Sequence, residues 1–330
     1  MRKSLLFNKS KFCHLSSKWL VILLAVSWSH SASAASFSAF VGGGLTGGCG
    51  TETQQVLNSD TALNLSESGS GPGCGTEAKA RASDGSVGVL TTFASNKKEP
   101  GASSPLGSVR ASASFTDRIF IVPEGMTLKD APDLTAASFA SGVNASGLMD
   151  VTMRFGFSGS LQAGTSSTTS FQGKTASATL ETRINVSATT GGCCGVYDPF
   201  RYSRRYEVIA SASNGEELGS VGEIIARSFL HVPTAGIGVT VRMNGRAGAG
   251  GFGGSSDIAV ATASSLNSLG YFKGGSVFDL PDGFTAFSES GFIVNNRLVG
   301  IDDVAPVPLP AGLPLLLAGI GGLAVLRKRR

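Results

Sequence analysis

Along most of the chain, apolar and polar residues take turns. In SATLETRINVSA, Ala178, Leu180, Ile184, Val186 and Ala188 share one face of an extended chain. Ser177, Thr179, Glu181, Arg183, Asn185 and Ser187 share the other. Strand side chains alternate between faces, so this period predicts a half-buried strand of an antiparallel sheet. RYEVIASAS repeats it with Tyr206, Val208 and Ala210 and runs into Asn214-Gly215, a tight-turn signal. GIGVTVRMNGR repeats it again with Val239, Val241 and Met243, followed by a second predicted turn at Asn244-Gly245. SVGVLTTFA, VRASASF, RIFIV, VTMRFGFSG, SFLHV, DIAVATAS and FIVNN are further strand candidates. No mature stretch carries a sustained 3.6-residue stripe. About ten to thirteen strands over roughly 220 residues predict an all-β fold, a two-sheet antiparallel sandwich in a jelly-roll-like arrangement. An outer-membrane barrel would need aromatic girdles, whereas aromatics are 8% of the chain and mostly Phe inside the predicted sheets. The pattern sets a β-sandwich domain over 86–298.

Residues 35–85 read differently. They are rich in Gly and Ser with little periodicity, which predicts an irregular opening segment with at most one short strand. Gly48-Cys49-Gly50-Thr51-Glu52 recurs as Gly73-Cys74-Gly75-Thr76-Glu77, but two copies are too few for a solenoid.

The two ends carry the least ambiguous signals. Basic residues up to Lys18, the apolar run WLVILLAV and the small residues Ala32 and Ala34 predict a signal peptide over 1–34. Signal peptidase would cut between Ala34 and Ala35. At the other end, a stalk at 299–306 containing Asp302-Asp303 leads to Val307-Pro308-Leu309-Pro310-Ala311. Ala311 to Leu326 is uncharged and predicts a helix of about 24 Å, slightly short of a ~30 Å hydrocarbon core. Arg327, Lys328, Arg329 and Arg330 follow, which would keep that end cytoplasmic and the body outside. The segment 307–330 thus predicts a transmembrane anchor.

This tail, with its intact VPLPA motif, apolar helix and basic end, resembles the sorting signal of PEP-CTERM proteins, in the VPLPA-CTERM variant. The resemblance implies that an exosortase-like membrane transpeptidase cuts near the motif and releases or re-anchors the protein at the cell surface. Such proteins usually occur in Gram-negative bacteria that make extracellular polysaccharide. The catalytic residues would belong to the partner, and Val307 to Ala311 would be its substrate. The prolines keep the motif extended within reach of a protease. More loosely, RASASFTDRIFIV, VTMRFGFSGSL and GFTAFSESGFIVNN resemble the globular part of such proteins. That likeness implies a sandwich without assigned biochemistry, with Asp117 following a strand and a turn at Gly159-Ser160.

Charge refines the picture. The chain has a formal net charge of +4, but without the two ends 18 basic residues face 23 acidic ones, a net of −5. The basic pI belongs to the terminal signals, and no nucleic-acid partner is expected. Of three histidines only His231 lies in the mature part, so a lone His at a strand end reads as packing and a His-rich zinc site is excluded. There is no GxSxG and no GxxxxGK[ST]. Asp279, Asp282 and Glu289 could supply a glycosidase pair but read as turn residues. No cofactor and no metal are expected.

Cys49, Cys74, Cys193 and Cys194 form an even set in an exported chain. A bond between the neighbours Cys193 and Cys194 would close a strained ring. Cys49 and Cys74 are therefore expected to pair with Cys193 and Cys194, in either order, stapling the opening segment to GGCCGVYDPF. A four-cysteine zinc site lacks CxxC spacing. Finally, Tyr197, Arg201, Tyr202, Arg204 and Arg205 cluster in YDPFRYSRRYE and suggest a loop for sugar rings or acidic glycans. The functional expectation is an exported, non-enzymatic surface or matrix protein. A carbohydrate-binding or adhesive module, with extracellular polysaccharide as partner, and a secreted hydrolase are the alternatives.

Overall fold

The computed structural model describes residues 35–46, 51–71, 74–83, 85–96, 106–166, 175–189, 196–211, 216–250 and 258–299. The predicted signal peptide, stalk, VPLPA motif, tail helix and Asn214-Gly215 turn lie outside these residues. No helix among the described residues is long and apolar enough to cross a membrane.

The fold is all-β. Its strands are β1 (Ser36–Thr46), β2 (Thr51–Ser59), β3 (Leu63–Gly71), β4 (Cys74–Ser83), β5 (Ser86–Asn96), β6 (Leu106–Pro123), β7 (Met149–Ser166), β8 (Thr175–Thr189), β9 (Val196–Ala210), β10 (Glu216–His231), β11 (Ile237–Gly250), β12 (Ile258–Tyr271), β13 (Phe278–Asp279), β14 (Phe284–Ser288), β15 (Ile293–Val294) and β16 (Arg297–Leu298). One seven-stranded sheet runs β2-β1-β6-β11-β8-β9, with β14 also on β6. The other runs β10-β7-β12-β5-β4-β3, with β13 also on β7. All these pairings are antiparallel. The inner faces of both sheets share one core, as in a β-sandwich. From β5 to β12 the pairings are nested: β5 with β12, β6 with β11, β7 with β10 and β8 with β9. That is one long hairpin folded across two sheets. β1 and β2 widen one sheet and β3 and β4 the other.

The alternation read in β8 holds: Ala178, Leu180, Ile184, Val186 and Ala188 are all buried. Burying a side chain such as Leu180 contributes about 1.5–3 kcal/mol. The opening segment, by contrast, is not irregular. It forms β1 to β4, because Ala78, Ala80 and Ala82 point into the core between Glu77, Lys79 and Arg81. Alanine gives alternation little hydrophobic contrast, and pairing on β5 supplies the rest. Of the two copies of the repeated motif, the described parts, Thr51-Glu52 and Cys74 to Glu77, begin β2 and β4, the second strands of two successive hairpins.

Three predicted breaks are also absent. Asn244-Gly245 lies within β11: Asn244 points outward to Glu181, and a Cβ on Gly245 would sit 2.8 Å from Val89 of the facing sheet. Gly159-Ser160 lies within β7, where Gly159 leaves room for Leu180, whose Cδ1 would be 2.8 Å from an added Cβ. Asp117 does not follow a strand but sits inside β6, buried. In both glycine cases the residue serves sheet-to-sheet approach and not a turn.

Of the four cysteines expected to pair, Cys74 lies among the described residues, and Cys49, Cys193 and Cys194 lie outside them. Cys74 pairs with Ser95 near the end of β5, at the end of the sandwich where β8 begins with Thr175. Thr189 and Val196, which flank Cys193 and Cys194, lie at the opposite end. The 15 residues of β8 separate the two ends, about 45 Å of extended chain. Thr46 and Thr51, which flank Cys49, lie at the end of Cys74.

Candidate ligand-binding surface

The segment predicted as a binding loop is the edge strand β9. Its alternation splits the predicted residues between two environments. Tyr202 and Tyr206 are half-buried, and each hydroxyl donates to Glu223 Oε2 of β10 at 2.9 Å. Arg204 Nη1 donates to both Glu223 oxygens at 3.2 Å, and its guanidinium lies 5.6 Å from the centre of the Tyr206 ring. Burial disfavours the Glu223 charge, but its donors Tyr202, Tyr206 and Arg204 outweigh that and hold the carboxyl below its ordinary range. Burial and the same carboxylate raise the Tyr206 hydroxyl. These tyrosines therefore tie the β9 edge to the β10 edge, with both hydroxyls engaged by Glu223. Tyr197 also lies in β9, with its backbone opposite Ala188.

Arg201 and Arg205 belong to the other side of β9, the outward face of the β6-β11-β8-β9 sheet. There Arg110, Arg205, Arg242 and Arg246, with Glu181 and Asn244, line a depression of about 440 Å³. Three strands, β6, β9 and β11, supply the four arginines. Arg246 stands directly across from Arg110 in the register. Like charges directly opposite on a sheet repel. Partial burial first, then the nearby Arg110 and Arg205, lower the Arg246 pKa. The carboxylates here are committed elsewhere. Glu181 accepts from Arg183 Nη2 at 2.6 Å and from Asn244 Nδ2 at 3.1 Å. Glu207 accepts from Arg205 at 3.0 Å. Arg110 and Arg246 make no hydrogen bond or ion pair among the described residues. The folded part thus carries a basic face although its net charge is negative. Sequence reasoning missed it because Arg110, Arg205 and Arg242 are far apart in the chain; only the strand order brings them together.

Of the carboxylates offered as catalytic candidates, Asp279 and Glu289 face arginines. Arg154 forms an ion pair with Asp279, while Asp282 is exposed. Glu289 faces Arg118 at 3.9 Å, and burial raises its carboxyl. The most enclosed acid, Asp117, was noted in the sequence only as a strand-end residue. Its Oδ1 accepts from Arg118 N–H at 2.8 Å and Ser290 N–H at 3.3 Å. Its Oδ2 accepts from the Tyr271 hydroxyl at 3.1 Å and the Ser290 hydroxyl at 2.6 Å. β14 runs along the end of β6 and delivers Ser290 to this spot. Tyr271, ending β12 in the other sheet, packs edge-on against Phe115 and stacks on Phe155. It also covers Gly85, whose positive φ of 66° makes the β4–β5 turn. Asp117 thus ties both sheets to the C-terminal segment, with both oxygens occupied by donors.

His231, as expected, is a packing residue: it is buried at the end of β10. Its Nε2–H donates to the Ala235 carbonyl at 2.9 Å, and Nδ1 is buried without a partner. No group of three or more His, Cys, Asp or Glu among the described residues could hold a metal ion. No protein-family model matches the chain, and no curated protein matches it.

Proposed function

We propose that the chain is an exported, non-enzymatic protein of the cell surface or extracellular matrix, processed at a VPLPA-type sorting signal by an exosortase-like membrane transpeptidase. The observation that carries this is the order of three features at 307–330: the motif Val307 to Ala311, an uncharged stretch to Leu326, and four basic residues. A leader of signal-peptide type at the other end agrees with it. The body is consistent with a scaffold. Among the described residues its most buried carboxylate, Asp117, is locked between two sheets, and the nested order of β5 to β12 supports a jelly-roll-like arrangement.

The intact mass of the protein recovered from its host tests this reading. The expected mass lacks residues 1–34 and the tail beyond about Pro310, with any addition identifying the new anchor. Replacing both Pro308 and Pro310 with Ala should leave a larger, membrane-retained form. A wild-type mass that retains Gly312 to Arg330 would make the tail an ordinary anchor and end the sorting proposal.

An oxidising destination also bears on the cysteines. We propose a Cys49–Cys74 disulfide. The strand ends flanking Cys49 lie at the same end of the sandwich as Cys74. Closing a loop of this size contributes about 3 kcal/mol. Peptide mapping without reduction should yield one fragment joining Cys49 to Cys74; a fragment joining Cys74 to Cys193 or Cys194 would refute the pairing.

A further inference from the structure

We infer that the outward face of the β6-β11-β8-β9 sheet is a binding site for a linear acidic polysaccharide, whose carboxylates or sulfate esters seat between Arg110 and Arg246 and extend toward Arg205 and Arg242. This goes beyond the sorting proposal, which assigns no ligand.

The argument starts from an imbalance. Arg110 and Arg246 oppose each other in register and have no hydrogen-bonding or ion-pairing partner among the described residues. The neighbouring acids Glu181 and Glu207 are held by Arg183 and Arg205. Glu207 acts on Arg246 only at a distance and is itself held by Arg205, so the two guanidinium groups side by side repel, and an anion placed between them turns that repulsion into two charge-assisted contacts. Arginine suits the task because its planar fork pairs with a carboxylate or sulfate through two parallel hydrogen bonds.

The arrangement favours a chain over a small anion. Arg242 and Arg246 are four residues apart on β11, about 13 Å along the strand. Arg205 lies on β9, with β8 between it and β11. The cations therefore form a spread row over a depression of about 440 Å³, open to a repeating ligand. Asn244 and Ser112 lie between them and can bond sugar hydroxyls. Among the described residues, Phe40 is the only aromatic one lining the depression. Single-stranded nucleic acids are held by several stacked aromatics, so the lining fits a polysaccharide better than a single strand, and the duplex is left to the test.

The test uses the full chain purified from its host, with polygalacturonate, dextran sulfate, unsubstituted dextran and duplex DNA as immobilised probes in separate channels. Binding is expected to polygalacturonate or dextran sulfate, the stronger of the two telling carboxylate from sulfate recognition, and it should weaken with added salt. Unsubstituted dextran should not bind. The double variant Arg110→Ser, Arg246→Ser should lose at least about tenfold in affinity, the scale of one charge-assisted hydrogen bond. Lys129→Ser with Lys273→Ser, the same charge change placed elsewhere, should bind as wild type. Because the arginine pair is repulsive, the double variant should melt at the wild-type temperature or higher. No binding to either acidic polysaccharide, tighter binding to DNA, equal loss in the lysine control, or binding loss accompanied by a lower melting temperature would each overturn the assignment. None of these outcomes bears on the mass that tests the sorting proposal.

Discussion

Asp117→Ala is expected to cost the sandwich ~3 kcal/mol or more at neutral pH, and Asp117→Asn far less. Asp117 is buried and accepts four hydrogen bonds, from Arg118 N–H, both Ser290 donors and the Tyr271 hydroxyl. Alanine leaves the buried Tyr271 hydroxyl and the Ser290 N–H without acceptors. Each such orphan costs about 1–3 kcal/mol. Asparagine keeps the shape, one carbonyl for the two backbone donors, and an amide that the two hydroxyls can meet by rotating. The ionisation itself works the other way. Burial raises the Asp117 carboxyl above 3.8, against the lowering pull of its donors Ser290, Arg118 N–H and Tyr271. The folded chain then binds this proton more tightly than the unfolded chain. The stability linked to it is complete below the unfolded pKa and is lost as pH rises through the folded one. Urea midpoints at about pH 4 and about pH 7 should therefore show Asp117→Asn gaining on the wild type as pH rises. An Asp117→Ala midpoint equal to wild type would mean that this tie between the sheets does not stabilise the fold.

Acidification should act through His231 with the opposite sign. Burial lowers its pKa from 6.5 to about 4, only partly offset by the hydrogen bond to the Ala235 carbonyl. The bond to Ala235 fixes the proton on Nε2, so a second proton would have to enter at Nδ1, which is buried with no partner. Between about 4 and 6.5 the unfolded chain therefore binds a proton that the folded chain refuses. Stability falls as pH drops through this window, by ~3 kcal/mol over its full width. His231→Gln can keep the bond to Ala235 without the titration, so its loss of stability from pH 7 to pH 4 should be smaller than wild type by about that amount. Parallel curves for the two proteins would show that His231 is not the group responsible.

Legibility varied with the size of the alternating side chains. In β8 the inward residues include Leu180, Ile184 and Val186, and the faces could be read directly. In β4 the same alternation is carried by Ala78, Ala80 and Ala82, and the segment read as irregular. Glycine was misread for a related reason. Gly159 and Gly245 look like turn residues in one dimension, but each is the hollow that receives Leu180 or Val89 from the facing sheet. Arg201 and Arg205 were identified as binding residues along with Tyr202 and Arg204. The strand period sends the first two to the basic face and the second two to Glu223.

The sequence by itself determined the fold class and is the whole basis of the terminal signals proposed here, because each rests on short-range order: a two-residue alternation, a leader, and a motif ahead of an apolar run and basic residues. Only the tertiary structure decided which distant residues meet. The nested strand order places Arg246 across from Arg110, brings Ser290 and Tyr271 to Asp117, and puts Cys74 at the opposite end from the strand ends that flank Cys193 and Cys194. Those meetings depend on antiparallel register between strands more than a hundred residues apart. Local pattern carries no record of such pairings, whereas the closing of two sheets on one core settles them together.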